Sequence, residues 1–323
     1  MTALLEVRDL YLEFKTSRGQ LKALNGMNFD VQSGEAFGLV GETGCGKTVT
    51  GLSILRLLPR SATITRGHVL FEGTDVVDLT RSQIESLRGS KIAMIFQDPS
   101  TSLNPVFSIG SQIERVVRQH MQLNRQEARQ KVREVMEAVG LPDVERIMGS
   151  YPHQLSGGMQ QRVMIAMALS CSPRLLIADE PTTSLDVTIQ AQILKLLREL
   201  QTKFGIAVIL ITHNLGVIAQ TCDRQAVLYG GRVAESGLTG DIFNHPQHPY
   251  TRGLMNAIPR PGMRGRKMDT IPGAVPSNPG AMPGCAFAPR CEFAMERCNI
   301  EVPPLYLLGD KHSSACFLAE PKQ

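Results

Sequence analysis

The chain has 323 residues, 42% of them hydrophobic and 20% charged, with a formal net charge of +4. That composition belongs to an ordinary globular protein, long enough for one large core or for two or three units. So mild a charge balance, with no Trp and only 5% aromatic residues, excludes a nucleic-acid surface built on charge or base stacking.

The opening "MTALLEVRDL" carries charged residues where a secretory leader needs an apolar run. No stretch approaches the roughly 18 apolar residues of a membrane span. Work at a membrane would therefore require docking onto another protein. Seven cysteines point to free thiols or metal ligands and away from a disulfide framework.

Through the first ninety residues short apolar runs alternate with turns. "LLEVRDLYLEF" and "GHVLFEG" alternate as strands do, and "EAFGLVG" reads as a buried strand ending in glycine. "KTVTGLSILRLL" follows as a helix and "KIAMIFQ" as another short strand. From 108 to 170 the pattern is helical, with Ala128, Val132, Val135, Met136 and Val139 on one stripe closed by Gly140. Strands return in "RLLIADE" and "IAVILITH". Between them lies a helix with Ile189, Ile193, Leu196, Leu197 and Leu200 on one face. Strand, helix and buried strand in succession predict an α/β sheet with parallel strands, covered on both faces. The block 98–170 reads as a helical insertion within it. Residues 258–284 hold six Pro and five Gly, the composition of a linker or extended wrap. A short Cys-bearing tail follows.

"GETGCGKT", Gly41 to Thr48, fits G-x-x-x-x-G-K-[ST] between a predicted strand and helix. Its glycines let backbone N–H groups of Gly41, Glu42, Thr43, Gly44, Cys45 and Gly46 close around a β-phosphate. Lys47 reaches the β/γ oxygens, and the Thr48 hydroxyl can ligate Mg²⁺. Beside Lys47 and a helix N-terminus, the Cys45 thiol is expected to be acidified and reactive. "RLLIADE" ends in two carboxylates: Asp179 is placed to hold Mg²⁺, and Glu180 to polarise an attacking water. "LITH" sets His213 at another strand end. A second anion-binding loop follows from "LSGGMQQR": Ser156, Gly157 and Gly158 leave main-chain N–H groups bare ahead of a helix.

With "GETGCGKT", the strand-end Gln97 of "IFQDPSTSLNP", "LSGGMQQR", "LLIADEP", "SLD" (Ser184–Asp186) and "ITH" in that order, the chain resembles the nucleotide-binding subunit of an ATP-binding cassette (ABC) transporter over about residues 4–257. Met159 and Asn214 depart mildly from the family pattern. The resemblance implies a P-loop NTPase (RecA-like) α/β core with an antiparallel β subdomain and a helical subdomain, together forming a domain at 1–257. It implies ATP and Mg²⁺ as ligands and two subunits packed head to tail. Ser156, Gly157 and Gly158 of one would contact the γ-phosphate held by the other's Lys47 loop. It further implies that Phe14, or Tyr11 in its place, stacks on adenine and that Gln97 senses Mg²⁺ and the γ-phosphate. His213 would hold transition-state charge, and Asp186 would act across the dimer interface.

"HPQHPYTRGLMNAIP", "QDPSTSLNP" and "PHQLSGGM" resemble the dipeptide/oligopeptide (and nickel) importer ATPases. Cys285, Cys291, Cys298 and Cys316 stand at C-x5-C-x6-C-x17-C in a C-terminal extension, 258–323. That spacing is too wide for usual structural zinc and is tolerated by a Cys₄ iron–sulfur cluster. The resemblance implies a [4Fe–4S] cluster there. Cys171 and Cys222 read as small core residues. The implied partners are a second ATP-binding subunit, two transmembrane permease subunits and an extracytoplasmic substrate-binding protein, with no nucleic acid. The chain would sit peripherally at the cytoplasmic face of the membrane. Nickel and glutathione-like cargo share these motifs, and the second ATPase can be a copy or a paralogue, the subfamily usually pairing two different chains. A soluble ABC ATPase acting on DNA or ribosomes usually has two cassettes or a long insertion, and a P-loop nucleotide kinase lacks the second loop.

Overall fold

The computed structural model describes residues 3–17, 19–183, 185–257, 271–276, 278–309 and 311–321. It divides into two compact units, residues 1–78 with 211–323, and residues 79–210. Ser184, residues 258–270 and Ser277 lie outside the described residues, so part of the expected wrap and one residue of "SLD" do too.

The first unit begins with β1 (Leu5–Thr16), β2 (Gly19–Val31), β3 (Ala36–Val40), α1 (Lys47–Ile54), β4 (Ala62–Phe71) and β5 (Thr74–Asp75). Strands β2-β1-β4-β5 form an antiparallel sheet in that order. All five residues of β3 are buried, as its unbroken apolar run requires of a strand covered on both faces.

In the second unit come α2 (Arg81–Leu87), β6 (Ile92–Ile95), α3 (Pro99–Ser102), α4 (Ile109–Met121), α5 (Arg125–Ala138), α6 (Val144–Gly149), α7 (Gly157–Leu169), β7 (Leu175–Asp179), α8 (Val187–Phe204) and the first four residues of β8 (Ala207–Thr212), whose last two are counted with the first unit. Strands β6 and β7 pair in parallel, and β8 takes the other side of β7. The predicted α5 stripe is buried at all five positions, and α8 buries Ile193, Leu196, Leu197 and Leu200 in the same core. Each fully buried aliphatic side chain contributes about 1.5–3 kcal/mol over an exposed one. A capping box starts α5: Asn124 Oδ1 accepts from the Gln126 and Glu127 N–H groups, while the Glu127 carboxylate accepts from Asn124 N.

The chain then returns to the first unit with α9 (Leu215–Thr221), β9 (Arg224–Tyr229), β10 (Arg232–Leu238), α10 (Thr239–Asn244), α11 (Pro249–Asn256), α12 (Glu296–Ile300), β11 (Tyr306–Leu307) and β12 (Ser313–Ser314). Strand β9 pairs in parallel with β3 and antiparallel with β10. The tail extends this sheet, since β12 pairs with β10 and β11 with β12. Asn25 ties the two sheets of the unit together, with N donating to Gly231 O at 2.9 Å and Nδ2 to Gly230 O at 3.0 Å. The described part of the proline-rich segment lies along β2, where Asn278 Nδ2 donates to Gln20 O at 3.1 Å.

"HPQHPY" is a structural joint. The buried Glu235 carboxylate accepts from Gln247 N at 2.8 Å and His248 N at 2.9 Å, and meets His312 Nε2 at 2.7 Å. His248 Nδ1 accepts from Tyr250 N at 3.0 Å, capping α11. Burial, reinforced by Arg252, lowers the His248 pKa from 6.5 to about 4. The unfolded chain therefore takes up a proton below pH 6.5 that the folded chain refuses, so this contribution to stability is complete above 6.5 and lost as pH falls towards 4. The thermal midpoint should drop as pH falls from about 7 to about 5. His248→Asn, which keeps a capping acceptor, should flatten that drop. An unaltered slope would show that the ring does not carry the dependence.

Candidate functional site

In the first unit, β3 ends at Val40 and the chain turns through Gly41–Gly46 into α1. Gly46 sits at the N-cap with φ 104°, and no side chain caps the helix. A Cβ at Gly46 would come within 2.9 Å of Leu24 Cδ2 and 3.2 Å of Ala23 O, so only glycine allows this turn. The result is a helix N-terminus that no side chain caps, a setting suited to an anion. Thr43, Gly44 and Thr48 are exposed at its mouth. Lys47 is buried, its Nζ donating to Gly41 O at 2.7 Å and Glu42 O at 3.0 Å.

Cys45 differs from the expectation. Its side chain is buried, and burial raises its pKa despite Lys47 Nζ at 3.8 Å from Sγ. Desolvation of a thiolate outweighs the nearby ammonium here. The thiol is neither acidified nor accessible.

Glu42 shows contacts that the motif does not announce. Its N–H donates to Tyr250 Oη at 2.9 Å. Its carboxylate accepts from Arg290 Nη1 at 2.6 Å and Nη2 at 3.0 Å. Both partners come from the C-terminal part of the chain.

The strand-one aromatics separate clearly. Tyr11 lies under the Arg66 guanidinium, 5.4 Å from the ring centroid, whereas Phe14 is half-buried opposite Leu21 and Ala62. His213 is exposed after β8. Asn214 caps α9 by accepting from Gly216 N at 2.9 Å, which explains how an amide serves at this position.

In the second unit Asp179 is buried at the end of β7. Glu180 follows with φ 45°, a left-handed conformation that costs a non-glycine residue on the order of 1–3 kcal/mol. Its carboxylate accepts from Gln97 Nε2 at 3.1 Å and Thr183 Oγ1 at 2.8 Å. Gln97 and Glu180 are thus brought together, and Thr183 is a third member that the sequence reading missed.

The second loop keeps its expected form. Ser156 is the N-cap of α7 and accepts from Met159 N at 3.4 Å. Ser156 and Gly157 are exposed. A Cβ on Gly158 would stand 3.0 Å from Ile189 Cγ2, so the glycine lets α7 start hard against α8. Asp186, expected to act across an interface, caps its own helix, with Oδ1 accepting from Ile189 N at 3.0 Å.

The cysteines of the quartet lie within electrostatic reach of one another. Cys285, Cys291, Cys298 and Cys316 are partly buried free thiols. Among the described residues no group of three His, Cys, Asp or Glu side chains comes together to hold a metal ion. Burial pushes the Cys285 thiol up to about 11, with Cys298 and Cys316 adding to the rise, and it also raises Cys291 and Cys316. Without a metal, burial of this kind favours protonated sulfur. Cys171 and Cys222 are buried, as expected. Among the described residues no helix is long and apolar enough to cross a membrane.

Residues 24–183 match the family model for the ABC transporter, and residues 234–298 match the oligopeptide/dipeptide transporter C-terminal region. The "Probable peptide ABC transporter ATP-binding protein y4tR" of Sinorhizobium fredii is 51% identical over 97% of this chain and 94% of its own. The dipeptide transport ATP-binding protein DppD of Bacillus subtilis is 46% identical, covering 99% and 96% of the two chains. Among solved structures, the dimeric post-hydrolysis state of the ATP-binding cassette MJ0796 with ADP and Pi superimposes with a TM-score of 0.66. It is 27% identical and covers 73% of this chain and 98% of that one. A family match across both the nucleotide loop and the C-terminal region, with full-length relatives, settles the class. The chain is an ATPase that belongs to the ABC transporter family, in its branch of oligopeptide/dipeptide transporter ATP-binding proteins.

Proposed function

We propose that this chain hydrolyses MgATP at an interface shared with a second ATP-binding subunit, and that the resulting movement drives import of di- or oligopeptides. The rest of the importer would be two permease subunits, fed by an extracytoplasmic binding protein, with this chain peripheral at their cytoplasmic side. The peptide cargo rests on the names of relatives such as DppD of B. subtilis and the oligopeptide transport ATP-binding protein OppD of Haemophilus influenzae. The shared interface is supported by the MJ0796 dimer. The cassette would span 1–257 and the extension 258–323.

One observation carries the chemistry: the Glu180 carboxylate is held on a strained backbone by Gln97 and Thr183. A base fixed in this way can take the proton of an attacking water without first reorienting. Main-chain N–H groups of Gly41–Thr48 and the Lys47 ammonium would hold the β- and γ-phosphates. Phe14 would stack on the adenine. Thr48 and Asp179 offer the hard oxygen donors that Mg²⁺ prefers, and the ion would neutralise phosphate charge. His213 would donate to the γ-phosphate, and Ser156, Gly157 and Gly158 would meet the nucleotide of the partner, with Asp186 beside them.

Glu180→Gln should bind ATP as the wild type does and lose at least about 100-fold in turnover. Calorimetry and phosphate release read the two quantities separately, and a wild-type rate would remove Glu180 from its role. Thr183→Val should lower turnover severalfold while leaving ATP affinity unaltered, because it frees the carboxylate without touching the nucleotide loop.

We propose further that the cysteine quartet gathers around a [4Fe–4S] cluster. Its support is donor chemistry: four of the seven cysteines fall between Cys285 and Cys316, and none is in a disulfide. An anaerobic preparation should carry about four irons per chain and absorb near 400 nm. Fewer than about one iron per chain would remove the cluster.

A further inference from the structure

Within the nucleotide loop, Glu42 is an oddity. A carboxylate beside a phosphate cradle opposes the anion that the cradle attracts. Its charge is answered by Arg290, which lies 248 residues further along the chain. The Arg290 side chain is only 5% exposed and that of Glu42 27%, so solvent screens the pair weakly.

The guanidinium is committed in every direction. Besides its two bonds to Glu42, Nε donates to Pro272 O at 3.0 Å and Nη1 to Tyr229 Oη at 3.3 Å. The Tyr229 and Phe287 ring centroids stand 5.8 Å and 5.9 Å away. Those rings pack edge-on at 5.2 Å, and Tyr229 meets Tyr250 at 4.7 Å. Tyr250 in turn accepts the Glu42 N–H. Tyr250 thus holds the backbone, and Arg290 of the extension the side chain, of one loop residue, whose carbonyl takes Lys47 Nζ.

We infer that Arg290 is a positioning residue for nucleotide binding: it neutralises Glu42 and fixes the loop carbonyl on which Lys47 rests. This rests on the reading of Gly41–Thr48 as the ATP loop. Arg290 touches no nucleotide on this account and acts through Glu42 alone. The bidentate geometry explains arginine at this position, since one ammonium cannot span both carboxylate oxygens while serving Pro272 and Tyr229.

The test is MgADP affinity by calorimetry on the full-length chain, with thermal melting alongside. Arg290→Met, which keeps the apolar stem, should weaken MgADP binding about tenfold, the scale of one charge-assisted hydrogen bond. Arg290→Lys should recover part of the loss and serves in its place if Arg290→Met does not fold. Arg297→Met is the control. Arg297 lies in the same extension, pairs with Glu301 and Glu320, and covers the Phe317 ring, so its loss should lower the melting midpoint and leave MgADP affinity unchanged. In a Glu42→Gln background, Arg290→Met should have little further effect, because no charge remains to neutralise. Wild-type affinity in Arg290→Met, an equal loss in Arg297→Met, or full additivity with Glu42→Gln would each overturn the inference. Lys47→Ala reads the loop assignment separately. Loss of binding there, with Arg290→Met unaffected, rejects the role of Arg290 alone. Affinity that survives Lys47→Ala rejects the nucleotide reading and this inference with it.

Discussion

The proposed function depends on two helix N-termini whose main-chain N–H groups would meet phosphate, one without a side-chain cap and one capped by Ser156. At α1, Gly46 supplies an uncapped turn that a Cβ would block. At α7, Ser156 and Gly157 keep the helix start exposed, and Gly158 lets it rest against Ile189. Each end carries roughly half a positive charge from the aligned peptide dipoles. On the proposed function one chain would offer two phosphate-binding helix starts, in two different compact units, and the pairing of chains would give each nucleotide one of each kind.

Around the Gly41–Thr48 loop, the chain uses buried polar groups for rigidity. Lys47 is held by loop carbonyls, and Glu42 by Arg290 and Tyr250. Around Glu180, the proposed base, the cost appears as backbone strain: the residue keeps a left-handed φ while Gln97 and Thr183 fix its oxygens. Strain of this sort persists where surrounding contacts over-determine it. Both arrangements place a charged group before any ligand arrives.

Much of this was legible because the informative residues are contiguous. "GETGCGKT", "LSGGMQQR" and "RLLIADE" each state a local geometry, and the apolar periods of α5 and α8 mark the faces that become the core of residues 79–210. What escaped is long-range. Glu42 reads as a variable position of its motif until Arg290 closes on it. Thr183 looks like one more turn residue, and Glu235 like a strand carboxylate instead of the anchor for Gln247, His248 and His312. Cys45 was misread for a related reason. Sequence shows the neighbouring lysine and helix end, which lower a thiol pKa, but not the burial that raises it.

The central claim is that a single chain lacks the full set of groups needed to cleave its own bound nucleotide. The most direct measurement is ATP turnover per chain across a dilution series, with sedimentation reporting assembly at each concentration. The account predicts that turnover per chain collapses as monomer replaces assembled protein. Turnover that holds constant through the fully monomeric range would contradict it.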